Sequence, residues 1–162
     1  MNPKKIKIGC ASAFWGDTSS AARQLVEKGD IDYLVSDFLA EMTMSILAGS
    51  KKNNPKMGYA TDFIDQLSPL LETIKSKNIK VISNAGGVNL NSCKEALEEI
   101  AHSLGIALNI AIIAGDDLMS KKNELMGMNI KEMETDQELP DNLLSANAYL
   151  GAIPINEALK NS

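Results

Sequence analysis

The chain has 162 residues, 44% of them hydrophobic, and carries a formal net charge of −5 from 16 Lys and Arg against 21 Asp and Glu. That length suits a single domain able to bury a core without disulfides or a structural metal. The acidic balance, with basic residues scattered in short pairs such as Lys4-Lys5, Lys51-Lys52 and Lys121-Lys122, excludes the concentrated cationic surface that a nucleic-acid or anionic-membrane partner needs.

Two cysteines, Cys10 and Cys93, are too few for a disulfide framework and form no Cys-x-x-Cys pair. They read as core thiols of a protein kept in a reducing cytoplasm. The opening "MNPKKIKIGCAS" has too short an apolar run for an export signal, and Lys7 interrupts it. No stretch approaches the roughly 18 apolar residues that span a bilayer.

Short apolar, β-branched runs occur at 6–11 ("IKIGCA"), 31–35 ("IDYLV"), 79–83 ("IKVIS") and 109–114 ("NIAIIA"), each bounded by Gly, Asn or Asp. These are the expected strands. Without clean alternation they suit a sheet covered on both faces. Helical spacing fills the intervals. Ala22, Leu25 and Val26 follow the first strand, with Gly29 as a stop; Leu39, Met42, Ile46 and Leu47 follow the second, with Gly49 as a stop. Phe63, Ile64, Leu67, Leu70, Leu71 and Ile74 make a third stripe that Pro69 must kink. In "NSCKEALEEIAHSLG", Ser92 and Glu95 fit a capping box, Ala96, Leu97, Ile100, Ala101 and Leu104 form the buried face, and Gly105 ends the helix.

Strand and helix therefore alternate. Parallel neighbours need crossover connections, so the expected architecture is a single α/β domain over 1–162: an open, three-layer, Rossmann-like sandwich with a mostly parallel sheet. Four or five strands are too few to close an eight-stranded barrel. Residues 51–62 read as a polar loop, and 126–142 as either a lid or a surface excursion.

Ligands of open α/β sheets settle at the carboxyl ends of the strands, where loops converge and helix N-termini present free N–H groups. The unusual residues of this chain follow its expected strands: Ser12, Trp15, Gly16, Asp17 and Thr18; then Asp37 and Glu41; then Asn84, Gly86, Gly87 and Asn89; then Asp116 and Asp117. Asp37, Glu41 and Asp116 are candidate acid/base groups or oxygen ligands for a divalent cation. Helix-end carboxylates answering the dipole are the alternative. The "GDTSS" turn is either an anion or hydroxyl site or simply a cap, with Asp17 or Thr18 accepting from the first helical turn. Asn84 and Asn89 can orient a polar group, Gly86 and Gly87 permit close approach, and Trp15 walls a pocket or plugs the core edge. His102 is the sole histidine and gives no zinc set.

Several enzyme signatures are absent. "SNAGGVN" resembles the Asn-Asn-Ala-Gly of short-chain dehydrogenases, but no Gly-x-x-x-Gly-x-Gly follows the first strand and no Tyr is followed four positions later by Lys. No Walker A loop, Gly-x-Ser-x-Gly elbow or His-Glu-x-x-His is present.

Six blocks in order, "IGCASAFWGDT", "DYLVSDFLAEMTMSILA", "GYATDF", "VISNAGGVN", "AGDDL" and "LSANAYLGAIPINEAL", resemble the acyclic terpene utilisation, or AtuA-like, family over nearly the whole chain. The resemblance implies a bacterial, cytoplasmic catabolic protein of branched or terpenoid acyl-CoA metabolism, and names no reaction. Family members continue beyond the segment matching "GAIPINEALKNS", so the chain is expected to be the N-terminal part of a longer architecture, with a strand missing and an edge open to a partner. The expected function is an enzyme, or the substrate-binding part of one, for a small acyl or terpenoid-derived metabolite. The alternative is a noncatalytic module that pairs with another subunit, as a homo-oligomer or with a partner chain.

Overall fold

In a computed structural model, residues 5–161 are described; Lys4 of the first basic pair and Ser162 lie outside them. The chain forms two compact units, one up to Ile110 and one from Ala111.

The first unit is α/β. Strand β1 (Ile8–Ser12) leads to helix α1 (Ala21–Lys28), β2 (Tyr33–Ser36), α2 (Glu41–Asn53), α3 (Thr61–Leu67), α4 (Leu71–Ser76), β3 (Lys80–Ser83) and α5 (Leu90–Ser103). The sheet is open and all-parallel, in the order β1-β2-β3. Ile8, Tyr33 and Lys80 lie side by side, as do Gly9, Leu34 and Val81, and the register shifts between Cys10 and Ser12 so that Ser12, Ser36 and Ser83 end the three strands together.

That strand order determines where the helices go. Right-handed crossovers that step steadily in one direction across a sheet all fall on the same face. Ala11 and Leu34 on that face are buried and Val81 packs on the core. A methyl group at Gly9 would sit 3.0 Å from Leu25 of α1. On the other face Ile8 is 65% exposed and Cys10 is exposed, while Tyr33, Val35 and Ile82 are half-buried and stand outside the core cluster.

The helices form largely where apolar spacing places them. Ala22 and Val26 of α1 are buried, and Gly29 ends it by donating to Leu25 O (2.9 Å). Gly29 has an extended backbone; it is required because a Cβ would lie 2.5 Å from Leu25 O. All six apolar residues of the Pro69 stripe are buried, and a 3₁₀ turn at Ser68–Leu70 separates α3 from α4 at the proline. Phe38 and Phe63 meet edge to face, their centroids 5.8 Å apart. Gly105 (φ +68°) closes α5: Ile106 N donates to Ala101 O (2.8 Å) and Gly105 N to His102 O (3.0 Å), a Schellman pair.

Five expectations change. The sheet, expected to be covered on both faces in three layers, carries its helices on one, because its strand order steps in a single direction. Helix α2 runs past Gly49 to Asn53 and buries Thr43 and Leu47, leaving Met42 and Ile46 exposed, because its inward stripe is offset from the apolar one. Helix α5 starts after Asn89, so Ser92 lies inside it and caps nothing; Cys93 joins Leu97 and Ala101 in the buried face while Leu104 is exposed. Cys10 is exposed, since its side chain lies on the uncovered sheet face. Residues 109–114 form no strand. Instead Ile106, Leu108 and Ile110 half-bury on the core between exposed Ala107 and Asn109, with Lys75 Nζ donating to Ala107 O (3.1 Å). Alternating burial is present there, but the ladder of hydrogen bonds that defines a strand is not.

The second unit contains a 3₁₀ turn at Met119–Lys121, α6 (Lys122–Gly127) and α7 (Ile153–Lys160). Isolated antiparallel bridges pair Asp117 with Asn147 and Lys131 with Glu138. None of its described residues is fully buried.

Candidate functional site

The three strand ends of the first unit are tied together through the residues that follow them. Asp37 N donates to Ser12 O (3.1 Å), and Ser12 Oγ donates back to Asp37 O (3.2 Å), joining the ends of β1 and β2. Ser83 Oγ donates to Ser36 O (2.8 Å) and accepts from Ala85 N (3.1 Å), joining β2 to β3. Asn84 completes the junction: its Oδ1 accepts from Phe38 N (2.8 Å), and its Nδ2 donates to Asp37 Oδ1 (2.7 Å). Leu39 N also donates to Asp37 Oδ1 (3.1 Å).

Asp37 is therefore oriented through one carboxylate oxygen while Oδ2 has no partner among the described residues. The Asn84 amide has likewise given one of its two N–H groups to Asp37. Both side chains are exposed. Buried Phe38, packed on Phe63, anchors the backbone between Asp37 and Leu39.

The loop after β1 is held separately. Asp17 N donates to Phe14 O (3.2 Å), Asp17 Oδ2 accepts from Ala13 N (3.0 Å), and Gly16 takes φ +87°, which a side chain would resist. Asp17 thus closes its own turn and does not cap α1. Thr18 Oγ1 accepts from Ser20 N (3.3 Å), and no side chain caps the helix. Trp15 is half-buried against the core, whereas Phe14 is 54% exposed.

Other candidates serve the framework. Asn89 Nδ2 donates to Pro55 O (2.9 Å) and Met57 O (2.7 Å), which holds the 54–58 loop. Gly87, at φ +52°, lies where a Cβ would sit 2.7 Å from Gly58 O, and a Cβ on Gly86 would sit 2.5 Å from Leu90 Cδ2. Glu41 stands exposed in the first turn of α2. Because that helix begins at Glu41, Asp37 lies before it and not on its first turn.

Asp116 belongs to the second unit, where Oδ2 accepts from Asn147 Nδ2 (2.8 Å) and its carbonyl accepts from Ala148 N (2.9 Å). Asp117 Oδ1 accepts from Met119 N (2.8 Å). Residues 131–138 close on themselves: Glu132 Oε2 accepts from Glu134 N, Thr135 N and Thr135 Oγ1, which holds its carboxyl below the usual carboxylate range. A depression of about 100 Å³ lined by Met126, Asn129, Ile130, Glu138, Leu139 and Asp141 is smaller than the roughly 300 Å³ of ordinary ligand pockets. Among the described residues no three His, Cys, Asp or Glu side chains gather as a metal site, and no helix is long and apolar enough to cross a membrane.

Sequence reasoning overlooked Ser36 and Ser83. Their signal is a repeat, "VSD" at 35–37 and "ISN" at 82–84, in which each strand ends in Ser followed by a residue with an Asx side chain.

The family model described as acyclic terpene utilisation family protein AtuA matches residues 6–162, and the chain belongs to that family. No curated protein and no solved structure matches it.

Proposed function

From membership of the acyclic terpene utilisation family, we propose that this chain is a cytoplasmic catabolic protein, an enzyme or the substrate-binding part of one. It takes a small acyl or terpenoid-derived metabolite at the carboxyl edge of its sheet. Asp37 and Asn84 engage the polar group, and the loop carrying Phe14 and Trp15 offers apolar surface. The observation that supports this reading is the junction of Ser12, Asp37 and Asn84, which holds an exposed carboxylate and amide side by side, 2.7 Å apart. Evenly shared burial or ion pairing would have spent both groups.

Thermal unfolding with metabolite panels tests the proposal, because a ligand of the native state stabilises it by mass action, about 2.7 kcal/mol at a hundredfold excess over Kd. A shift present in the native protein and lost in Asp37→Asn supports it. An equal shift in both refutes it. Asp37→Asn keeps the shape and the contact with Leu39 N, so loss of folding does not obscure the result.

A second reading, a noncatalytic module that pairs with another subunit, draws on the uncovered sheet face, where Ile8 is 65% exposed. Parallel sheets are ordinarily covered on both faces. Light scattering decides: an assembly that Ile8→Lys disrupts and Asp37→Asn leaves intact favours this reading.

A further inference from the structure

Helix α2 carries an apolar face that its own fold does not cover, and we infer that a second copy of this chain covers it, α2 against α2 in an antiparallel pair about a two-fold axis. The face is Met42, Ile46 and Gly49, four and three residues apart, with Ser45 beside them. Met42 is 76% and Ile46 51% exposed, while Thr43 and Leu47 hold the inward side of the helix to the core. Gly49 is an independent sign. It stands in the interior of a 13-residue helix, where glycine is among the poorest formers. No positive φ requires it, and no atom lies within 4 Å of where its Cβ would be. Gly29, Gly86 and Gly87 each face an atom of this chain that excludes a side chain; Gly49 faces none. A glycine that its own fold does not use suits the close approach of a second helix, whose axial distance depends on the side chains at the contact.

The face is complementary to itself. With Met42 opposite Gly49 of the second copy, the two-fold axis also sets Gly49 opposite Met42 and Ile46 opposite Ser45. Each large side chain then meets a small one. The charges agree with this register. Glu41 and Lys52 are exposed on the same flank of the face, at opposite ends of the helix, and neither is ion-paired among the described residues. Lys51 is turned away and donates to Val88 O. In the antiparallel pair Lys52 of the second copy lies about 3 Å along the axis from the position opposite Glu41, within reach of a lysine side chain, and the contact occurs twice. A parallel pair would set Glu41 on Glu41 and Lys52 on Lys52, against the helix dipoles as well.

Sedimentation equilibrium of the full chain at neutral pH and low salt tests this. One helix pair is at the small end of specific interfaces, so half of the chains are expected to be paired at about 50 μM. Gly49→Leu projects into open space in the single chain, so it leaves the fold intact; in the pair it wedges the helices apart and should weaken association at least about tenfold. Ile8→Lys, on the sheet face, should leave association unchanged. Glu41→Lys alone should weaken it about threefold, and adding Lys52→Glu to the same chain should restore it, because the two-fold axis pairs the exchanged charges again. A chain that stays single up to about 500 μM, or a pair that Gly49→Leu leaves intact, overturns the inference. A pair lost in Ile8→Lys and kept in Gly49→Leu overturns it too and moves the contact to the sheet face. Failure of the double exchange to restore association overturns the antiparallel register.

Discussion

Residues 5–110 and residues 111–161 are both well supplied with apolar side chains, yet only the first set builds a core. In the first unit Val26, Leu34, Phe38, Leu47 and Leu70 are the largest fully buried residues, and strands and helices close around them. In the second, Met133 is 94% exposed, Tyr149 is fully exposed and no described residue is fully buried. The difference is spacing. Stripes three and four residues apart give α1, α3 and α5 a face to bury, whereas apolar residues between 126 and 150 fall without period and leave hydrogen bonds to define the chain path. Exchanging water for protein partners yields only about 1 kcal/mol per hydrogen bond, so burial is what separates the two units in stability.

The sharpest way to break this comparison is to truncate one large side chain in each unit. Phe38→Ala should cost about 3–5 kcal/mol in urea unfolding, because it removes an enclosed ring and its contact with Phe63. Tyr149→Ser should cost less than about 0.5 kcal/mol. Similar losses would contradict the contrast. A smaller effect is expected at Gly87→Ala, about 2 kcal/mol, from a positive φ combined with a Cβ pressed against Gly58 O. Midpoint denaturant concentration measures it, and a neutral result would mean that the 58–60 and 86–88 loops are not held as described.

The two cysteines sharpen the comparison within the first unit. Burial pushes the Cys93 thiol up to about 11, so in the native protein it stays protonated. A group whose folded pKa lies above its unfolded value of 9.0 stabilises the fold fully below pH 9 and loses that contribution as pH rises towards 11. Cys93→Ala should flatten the fall in stability over that window. Alkylation at neutral pH should modify exposed Cys10 at once and Cys93 only on unfolding; equal rates would place Cys93 outside the core.

In the second unit the smallest effect is expected, and it is local. The Glu132 carboxyl is held low by the Thr135 hydroxyl first, then by the Thr135 and Glu134 amides. Its contacts are complete above the ordinary carboxylate range and are lost as pH falls through the lowered value. Protection of the Glu134 and Thr135 amides, relative to intrinsic exchange at the same pH, should therefore fall in acid, and Glu132→Gln should lower it at neutral pH. No change in either would show that Glu132 does not close the 131–138 turn.

Much of the first unit was legible because its signals are local: three apolar runs ended by Ser-Asp, Ser-Asn or a turn, and helical stripes between them. The α/β class and its parallel sheet follow from that alternation. What one sequence does not carry is pairing. The run at 109–114 has strand composition, but ladder partners are a tertiary property, and Ile106, Leu108 and Ile110 pack without them. The sequence pointed to four loops at one sheet edge; hydrogen bonds join the three that carry Ser12, Asp37 and Asn84, while Asp116 belongs to the second unit. That Asn89 and Gly87 of "SNAGGVN" brace the 54–58 and 58–60 loops was not legible, since their partners lie about thirty residues away.

Nitrogen-15 amide spectra of the full chain, titrated with the ligand that stabilises it most, test the site directly. The account predicts shifts concentrated at Ala13, Asp37, Phe38 and Asn84, the amides at or beside the junction of the three strand ends. Saturating ligand that leaves these unmoved and shifts only amides of residues 111–161 would contradict it.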